Sequence, residues 1–476
     1  MGFLVLGLIL SLAAWLAAKS PRGAVLTLAF LTPWNGLTAD FGVAVSLYQL
    51  VLLPLIGVTL VRSLQPGWQP GRVAAGGAFL AYVLYGLIWS MLVIGFLPEA
   101  QLYGGALRGT VARAVIQLGY FLFTVAPVAL LGWLALRSED LAACGRVYIV
   151  SAIVLAVIGW FQLVVWYATG TNPIQIDAIG RILGGAETYG RTGAFGFDQL
   201  AIYRMNSLAG EPRQLGTTFV MAMLIIQVFA LTSRRPPPLR LLGIWVFLLL
   251  SAAATYSTSA AAIWLIGTAV MFPAAWLMRI PIHRSFGSMA AATGMIVAAL
   301  GFAVVAAEAR GIPVVDLIAE RTIERLDESG AVEDFDLAIL GYFEVHPKDL
   351  ITGLGIGDVH LYAGPYLDPQ FAVYAEATVF VAKTGYLRLL SEVGVIGLVL
   401  FLVWYLRLGF LAAYAVRRDD RIAALVPFGA IALVVFLANS QIANEFWFTA
   451  GMLTASCAGA RNRRASIATP LVLAAA

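Results

Sequence analysis

The chain has 476 residues, 61% of them hydrophobic and only 12% charged, with a net charge of +4 and a mean hydropathy of +0.88. Such a composition cannot make a soluble surface, so soluble enzymes and nucleic-acid-binding folds are excluded and a polytopic membrane protein is expected. Charge is also segregated: residues 307–383 hold 14 acidic side chains against 5 basic ones, in a chain that is otherwise basic.

A helical span needs about 20 mostly apolar residues, and that rule predicts about thirteen candidates. They lie at 2–18, 23–38, 41–61, 73–96, 114–136, 147–169, 208–231, 240–256, 259–278, 286–306, 385–416, 422–440 and 444–460. The expected fold class is all-α, with about 12–13 transmembrane helices and a large extracytoplasmic loop. The chain then divides into N-terminal helices (1–306, with an outer loop at 170–207), the large loop (307–384), and C-terminal helices with a cytoplasmic tail (385–476).

Basic residues fall in every second link: Lys19 and Arg22; Arg62 and Arg72; Arg137 and Arg146; Arg234, Arg235 and Arg240; Arg279 and Arg284; Arg417, Arg418 and Arg421; Arg461, Arg463 and Arg464. The positive-inside bias places these links on the cytoplasmic side and the acidic loop outside. The C-terminus is then inside and the N-terminus outside. If the first segment is re-entrant, or 23–38 and 41–61 form one broken unit, twelve spans remain with both ends inside. Leu16-Ala17-Ala18 also suits signal-peptide cleavage, although the basic leader region such peptides need is missing. Cys144 and Cys457 fall on the reducing side or in the last span, so no disulfide is expected. No Walker, Rossmann or zinc spacing occurs, and His283, His346 and His360 are scattered; no metal or cofactor is expected.

Ionisable groups at membrane depth are costly, so each is a candidate for function. Arg204, Glu211, Pro212 and Arg213 run from the outer loop into a membrane helix. Proline suits a helix start, the free N–H groups there favour anions, and guanidiniums pair bidentately with phosphate. The alternative is a structural Glu211–Arg213 pair. A second cluster combines Tyr342, Glu344, His346 and Pro347 with the glycine-spaced turn Gly353, Gly355, Gly357, then Asp358 and His360. Glycines allow a tight turn, and Glu344, Asp358 and His360 are acceptors for a hydroxyl proton. Most of the loop's acidic residues are expected to be solvated only. The third cluster is Lys383, Tyr386, Arg388 and Glu392. Arg388 and Glu392 share a helix face, where they either neutralise each other or leave Arg388 as a phosphate ligand. Tyr189, Phe195, Tyr362, Tyr366 and Tyr374 are suited to stacking on sugars or to a membrane-interface belt.

The order His346-Pro347, Gly353-Leu354-Gly355-Ile356-Gly357, a spacer, then Tyr386-Leu387, Leu389-Leu390, Glu392, Gly394 and Gly397-Leu398 resembles the signature of the O-antigen ligase and O-antigen polymerase superfamily of bacterial envelope proteins. Arg204 followed by Gly210-Glu211-Pro212 and Leu215-Gly216 is similar to that superfamily's upstream arginine motif. The likeness runs over residues 200–410. It implies a metal-independent, cofactor-free glycosyltransferase of the bacterial inner membrane, with its active side extracytoplasmic and its saccharide taken from an undecaprenyl diphosphate carrier. Ligases of the superfamily typically carry His-Asn where this chain has Lys383-Thr384, and a further arginine where it reads Tyr256-Ser257-Thr258-Ser259. These departures favour a polymerase of O-antigen, capsule or exopolysaccharide repeat units over a ligase to lipid A core.

On that reading Arg204, Arg213 and Arg388 hold the leaving diphosphate, Glu211 orients them, Lys383 and Tyr386 bind substrate, and Glu344, Asp358 or His360, in that order, accepts the hydroxyl proton. The implied partners are the carrier-linked saccharide, membrane lipid, and chain-length or export proteins, with no nucleic acid. Two other classes stay open. A transporter fits less well, because the sequence lacks paired repeats and broken-helix segments in matching halves. A non-catalytic envelope scaffold fits if the departures mean lost activity.

Overall fold

The computed structural model describes residues 2–34, 36–40, 44–66, 71, 73–96, 110–134, 136–173, 194–197, 200–233, 238–280, 294, 305, 308–310, 334–367 and 381–473. In chain order the elements are α1 (Gly2–Lys19), α2 (Pro21–Leu31), β1 (Thr38–Asp40), β2 (Ala44–Ser46), α3 (Leu47–Ser63), α4 (Gly76–Val93), α5 (Thr110–Leu134) and α6 (Ser138–Thr169). Then come β3 (Ala194–Phe197), β4 (Leu200–Tyr203), α7 (Pro212–Thr232), α8 (Leu239–Ala253), α9 (Thr258–Leu277), α10 (Asp334–Val345), α11 (Asp349–Thr352), α12 (Val359–Ala363), α13 (Gly385–Val416), α14 (Leu425–Ala438) and α15 (Ala443–Leu473). Among the described residues seven helices (α4, α5, α6, α7, α9, α13 and α14 with its short lead-in) are long and apolar enough to cross a membrane. The protein is an all-α polytopic membrane protein. Its only sheets among these residues are two antiparallel hairpins, β1–β2 and β3–β4. All of the predicted span 286–306 except residues 294 and 305, most of the 170–207 loop and the acidic stretch 311–333 lie outside the described residues.

Helix starts follow local chemistry. Ser20 accepts the Gly23 N–H at 3.0 Å ahead of Pro21, and Ser46 and Gln49 form a capping box at α3. Pro212 opens α7 directly after Glu211.

The span expected at 41–61 opens in strand β2 and is helical only from Leu47, and two more predicted spans differ from unbroken helices. The segment expected at 23–38 is helical only over the 11 residues of α2, which rise about 16 Å, half of a ~30 Å hydrocarbon core. Beyond it Trp34 donates its indole N–H to Ser151 Oγ at 2.7 Å, and Ser151 donates to the Phe30 carbonyl at 2.6 Å. The chain then reaches Gly36, where a Cβ would stand 2.4 Å from Gly210 N. Unwound backbone inside a bundle is tolerated where protein groups meet its hydrogen bonds.

The second is α13, predicted as one continuous span and broken at Gly394, with φ 67° and ψ −174°. The break takes the Ser391 and Glu392 carbonyls out of the helical ladder, and they accept the N–H groups of Leu354 at 2.7 Å and Gly355 at 3.0 Å. The turn is held from its other side by α4. Trp89 Nε1 donates to the Gly353 carbonyl at 2.9 Å, Tyr85 donates to the Thr352 carbonyl at 3.2 Å, and Ile356 N–H donates to Ser90 Oγ at 2.8 Å. Part of the polar loop therefore folds into the helices. Asp336, expected among the solvated acidic groups, and Asp358, expected as a proton acceptor, are both 1% exposed.

Below the break α13 packs through aromatic rings: Trp404 stacks on Trp447 at 5.5 Å, Phe436 stacks on Phe446 at 4.4 Å, and Phe401 lies edge-on to Trp447 at 6.0 Å. Such pairs add roughly 0.5–1.5 kcal/mol each beyond area burial.

Gly394→Ala is expected to destabilise the protein by at least ~3 kcal/mol, because the added Cβ meets Gly353 N at 2.5 Å in a backbone region that essentially only glycine occupies. Thermal unfolding in detergent reads this as a lowered midpoint; an unchanged midpoint contradicts the account of the break.

Candidate functional site

Gly353, Gly355 and Gly357 all have positive φ (80°, 97° and 79°), so the turn needs glycine for its backbone as well as for close approach. At Gly355 a Cβ would lie 2.9 Å from Asp358 Oδ2, and at Gly357 one would lie 2.4 Å from Gln117 Cβ. The turn thereby buries Asp358 beside Glu392, and Asp358 Oδ2 has no hydrogen-bond partner among the described residues. Burial, and secondarily the Glu392 carboxylate, raises the Asp358 pKa to about 7. A carboxyl group poised there can take a proton from a hydroxyl near neutral pH. His360, in the short helix α12, is buried at 5% exposure. Glu344 is exposed in the last turn of α10.

Around this turn α10 and α12 form a small aromatic cluster. Tyr342 donates to Asp349 Oδ2 at 2.6 Å and meets His346, Tyr362 and Tyr366 with ring centroids 4.6, 5.9 and 5.8 Å away. Burial, then Asp358 and Asp349, lifts Tyr362 to about 12. These contacts pack Tyr362 and Tyr366 against protein, while Tyr366 keeps a 37% exposed edge. Tyr189 and Tyr374 lie outside the described residues.

The start of α13 is capped from another element. Asp336 of α10 accepts the backbone N–H groups of Lys383 at 2.6 Å and Thr384 at 3.2 Å. This satisfies donors that a helix N-terminus leaves orphaned, with the charge sign the helix dipole favours. Gly385 seats the same end: a Cβ there would meet the Phe436 carbonyl. Lys383 Nζ lies 5.4 Å from the centroid of Phe335, and Tyr386 is 47% exposed. Arg388 pairs with Glu392, Nε to Oε1, at 3.1 Å. The neutralising reading is thus realised through Nε. The Nη groups of Arg388 make no hydrogen bond with a described residue, so the anion-binding reading stays open.

The upstream arginine cluster sits on a turn sunk into the bundle. Tyr203, Met205, Ser207 and Ala209 are all at most 2% exposed. Ser207 N–H donates to Gln162 Oε1 at 2.7 Å, and Ser207 Oγ donates to the Leu155 carbonyl at 2.8 Å. Arg204 directs Nε at the Thr255 carbonyl, 2.9 Å away, and Nη2 at the Tyr256 carbonyl, 3.4 Å away. A cation at a helix C-terminus is favourable. The α8–α9 turn, which has no cation of its own in sequence, receives one from Arg204. Glu211 caps nothing with its side chain and makes no ion pair with a described residue, so the alternative of a structural Glu211–Arg213 pair is not formed. Arg213 is half-buried in the first turn of α7.

The structure gathers Asp358, Glu392 and Arg388 around one junction and keeps Arg204 on its own turn; the short turn Ser440–Ile442 touches both α7 and α13 between them. Sequence reasoning missed three supports: the Asp336 cap, the break at Gly394, and the α4 donors Tyr85 and Trp89. A capping carboxylate about fifty residues from its helix leaves no local pattern. Gly394 was visible as a glycine between apolar residues of a span. Among the described residues no group of His, Cys, Asp and Glu is arranged to hold a metal.

No protein-family model matches the chain, and no curated protein matches it.

Because the folded-state pKa of Asp358 is raised, the folded protein keeps a proton that the unfolded chain releases above its ordinary carboxylate pKa. Stability is therefore expected to fall as pH rises from about 4 to about 7. Unfolding midpoints of the native chain and Asp358→Asn, compared across that window, should show the loss only in the native chain; parallel curves argue against it. Separately, Asp336→Ala should cost about 1–2 kcal/mol through loss of the α13 cap, measured as denaturant stability in detergent.

Proposed function

We propose that the protein is a membrane glycosyltransferase that joins carrier-linked oligosaccharide repeat units, a polymerase of O-antigen, capsule or exopolysaccharide. The observation that carries this reading is the junction at Glu392, which lies between an arginine whose Nη groups and a buried carboxyl group whose Oδ2 find no hydrogen-bond partner among the described residues. Those are the two groups a diphosphate-leaving displacement requires, and the residue pattern around them is the one that resembles the O-antigen ligase and polymerase superfamily.

In the reaction a hydroxyl oxygen of the acceptor saccharide attacks the anomeric carbon of the donor. The bond from that carbon to the diphosphate breaks, undecaprenyl diphosphate leaves with the electron pair, and the hydroxyl proton passes to Asp358. Arg388 faces the charge growing on the diphosphate, where one well-placed donor supplies about 3 kcal/mol of barrier lowering. Arg213 and Lys383 add positive charge at the mouths of α7 and α13. Arg204 holds the α8–α9 turn and so acts on position more than on charge. Sidedness follows from charge: the acidic stretch and both clusters lie on the extracytoplasmic face of a bacterial inner membrane, opposite the basic links.

A scaffold reading draws on one observation, the use of two Arg204 nitrogens on backbone carbonyls. Purified protein in liposomes supplied with undecaprenyl-diphosphate-linked repeat units distinguishes the readings. The expected result is a gel ladder of longer carrier-linked chains without any lipid A core acceptor. Yield should rise as pH passes through about 7, and Arg388→Ala should lose about 100-fold in rate. Product formed only with the lipid A core acceptor establishes a ligase instead, and no product under either condition favours the scaffold.

A further inference from the structure

The end of the bundle farthest from the candidate site holds a cavity of about 640 Å³ between α4, α13 and α15. Its walls are the small residues Val73–Ala78 at the start of α4, with Leu411 and Ala415 of α13; its polar groups include Arg407, Tyr414 and Arg418. Residues 407, 411, 414 and 418 share one face at helical spacing. Arg407 lies nine residues before the end of α13, about 14 Å along the axis, among the exposed apolar residues Val403, Leu406 and Phe410. An arginine on such an apolar helix face is costly within the hydrocarbon layer unless it is neutralised or reaches the interface.

Among the described residues none supplies that charge. Arg407 makes no hydrogen bond or ion pair with a described residue. The described carboxylates of the turns at this end of the bundle have other partners: Glu139 pairs with Arg421 at 2.7 Å, Asp140 with Arg22 at 2.6 Å, Asp419 accepts the Arg421 N–H at 3.2 Å, and Asp420 is also engaged. Arg418 reaches Tyr414 Oη at 3.2 Å and lies over its ring at 4.8 Å, which holds this second guanidinium at the cavity edge. The start of α4 adds the positive end of a helix dipole. Nothing in the proposed transfer reaction uses this cavity.

We infer that the cavity binds a phosphate-bearing anionic lipid, its phosphate between Arg407 and Arg418 and its chains along the apolar face of α13. The shared chemistry is a phosphate anion, and the apolar surroundings of Arg407 select one carried on an acyl or isoprenyl chain. Gly77 provides a clean probe. It lines the cavity, a Cβ there meets nothing within 4 Å, and replacing a helical glycine does not weaken the helix.

The test is native mass spectrometry of the full chain in detergent, titrated with phosphatidylglycerol, phosphatidylcholine or inorganic phosphate, with circular dichroism confirming that each variant is folded. Phosphatidylglycerol should bind at least tenfold more tightly than phosphatidylcholine or inorganic phosphate. Arg407→Gln and Gly77→Leu should each weaken it at least tenfold, while Arg407→Lys retains most of it. Equal binding of the two lipids, equal binding of inorganic phosphate, or phosphatidylglycerol binding unchanged in Gly77→Leu would overturn the inference.

Discussion

At Gly353 and Gly394 two backbones approach so closely that a Cβ on either residue would stand 2.5 Å from the other's amide nitrogen. The contact opens α13 and turns the carbonyls of Ser391 and Glu392 toward Leu354 and Gly355, so that a loop segment is hydrogen-bonded where a membrane helix would otherwise continue. Irregular backbone within a bundle persists only when every polar group finds a protein partner, and here the partners come from α4, α13 and the turn itself. Arg388, Glu392 and Asp358 owe their relative positions to this junction. An intact α13 would leave the turn without acceptors and Asp358 without its enclosure.

Chemistry follows from the same enclosure. Burial moves Asp358 to a pKa of about 7, the range in which a carboxyl group exchanges protons efficiently at neutral pH. Arg388 is held by Glu392 through Nε, and its terminal nitrogens make no hydrogen bond with a described residue. The opposite end of α13 carries charge of another kind. There Arg407 lines a cavity of about 640 Å³ and forms no ion pair with a described residue. The helix thus carries Arg388 near its start, beside the Asp358 turn, and Arg407 toward its end.

Much of this was legible in the residues. Apolar run length and alternating basic links announced the polytopic helical class, and the helix starts at Pro212 and Gly385 fall within a few residues of the runs that announced them. The glycine spacing of 353, 355 and 357 foretold a tight turn because each position needs a backbone that side chains resist. What could not be read is where long-range partners fall. Asp336 caps a helix about fifty residues away, Arg204 caps the α8–α9 turn, and α2 stops halfway because Trp34 finds Ser151, a residue of α6. Hydropathy reports the length of an apolar run and is silent on whether its backbone stays helical. It therefore rendered both α2 and α13 as uninterrupted spans.

The most direct measurement is an experimental structure of the protein in lipid nanodiscs with an undecaprenyl-diphosphate-linked repeat unit bound. The account predicts the diphosphate against the Nη groups of Arg388, with the anomeric carbon on the side facing Asp358. A diphosphate seated elsewhere, with Arg388 still closed on Glu392 alone, would contradict it.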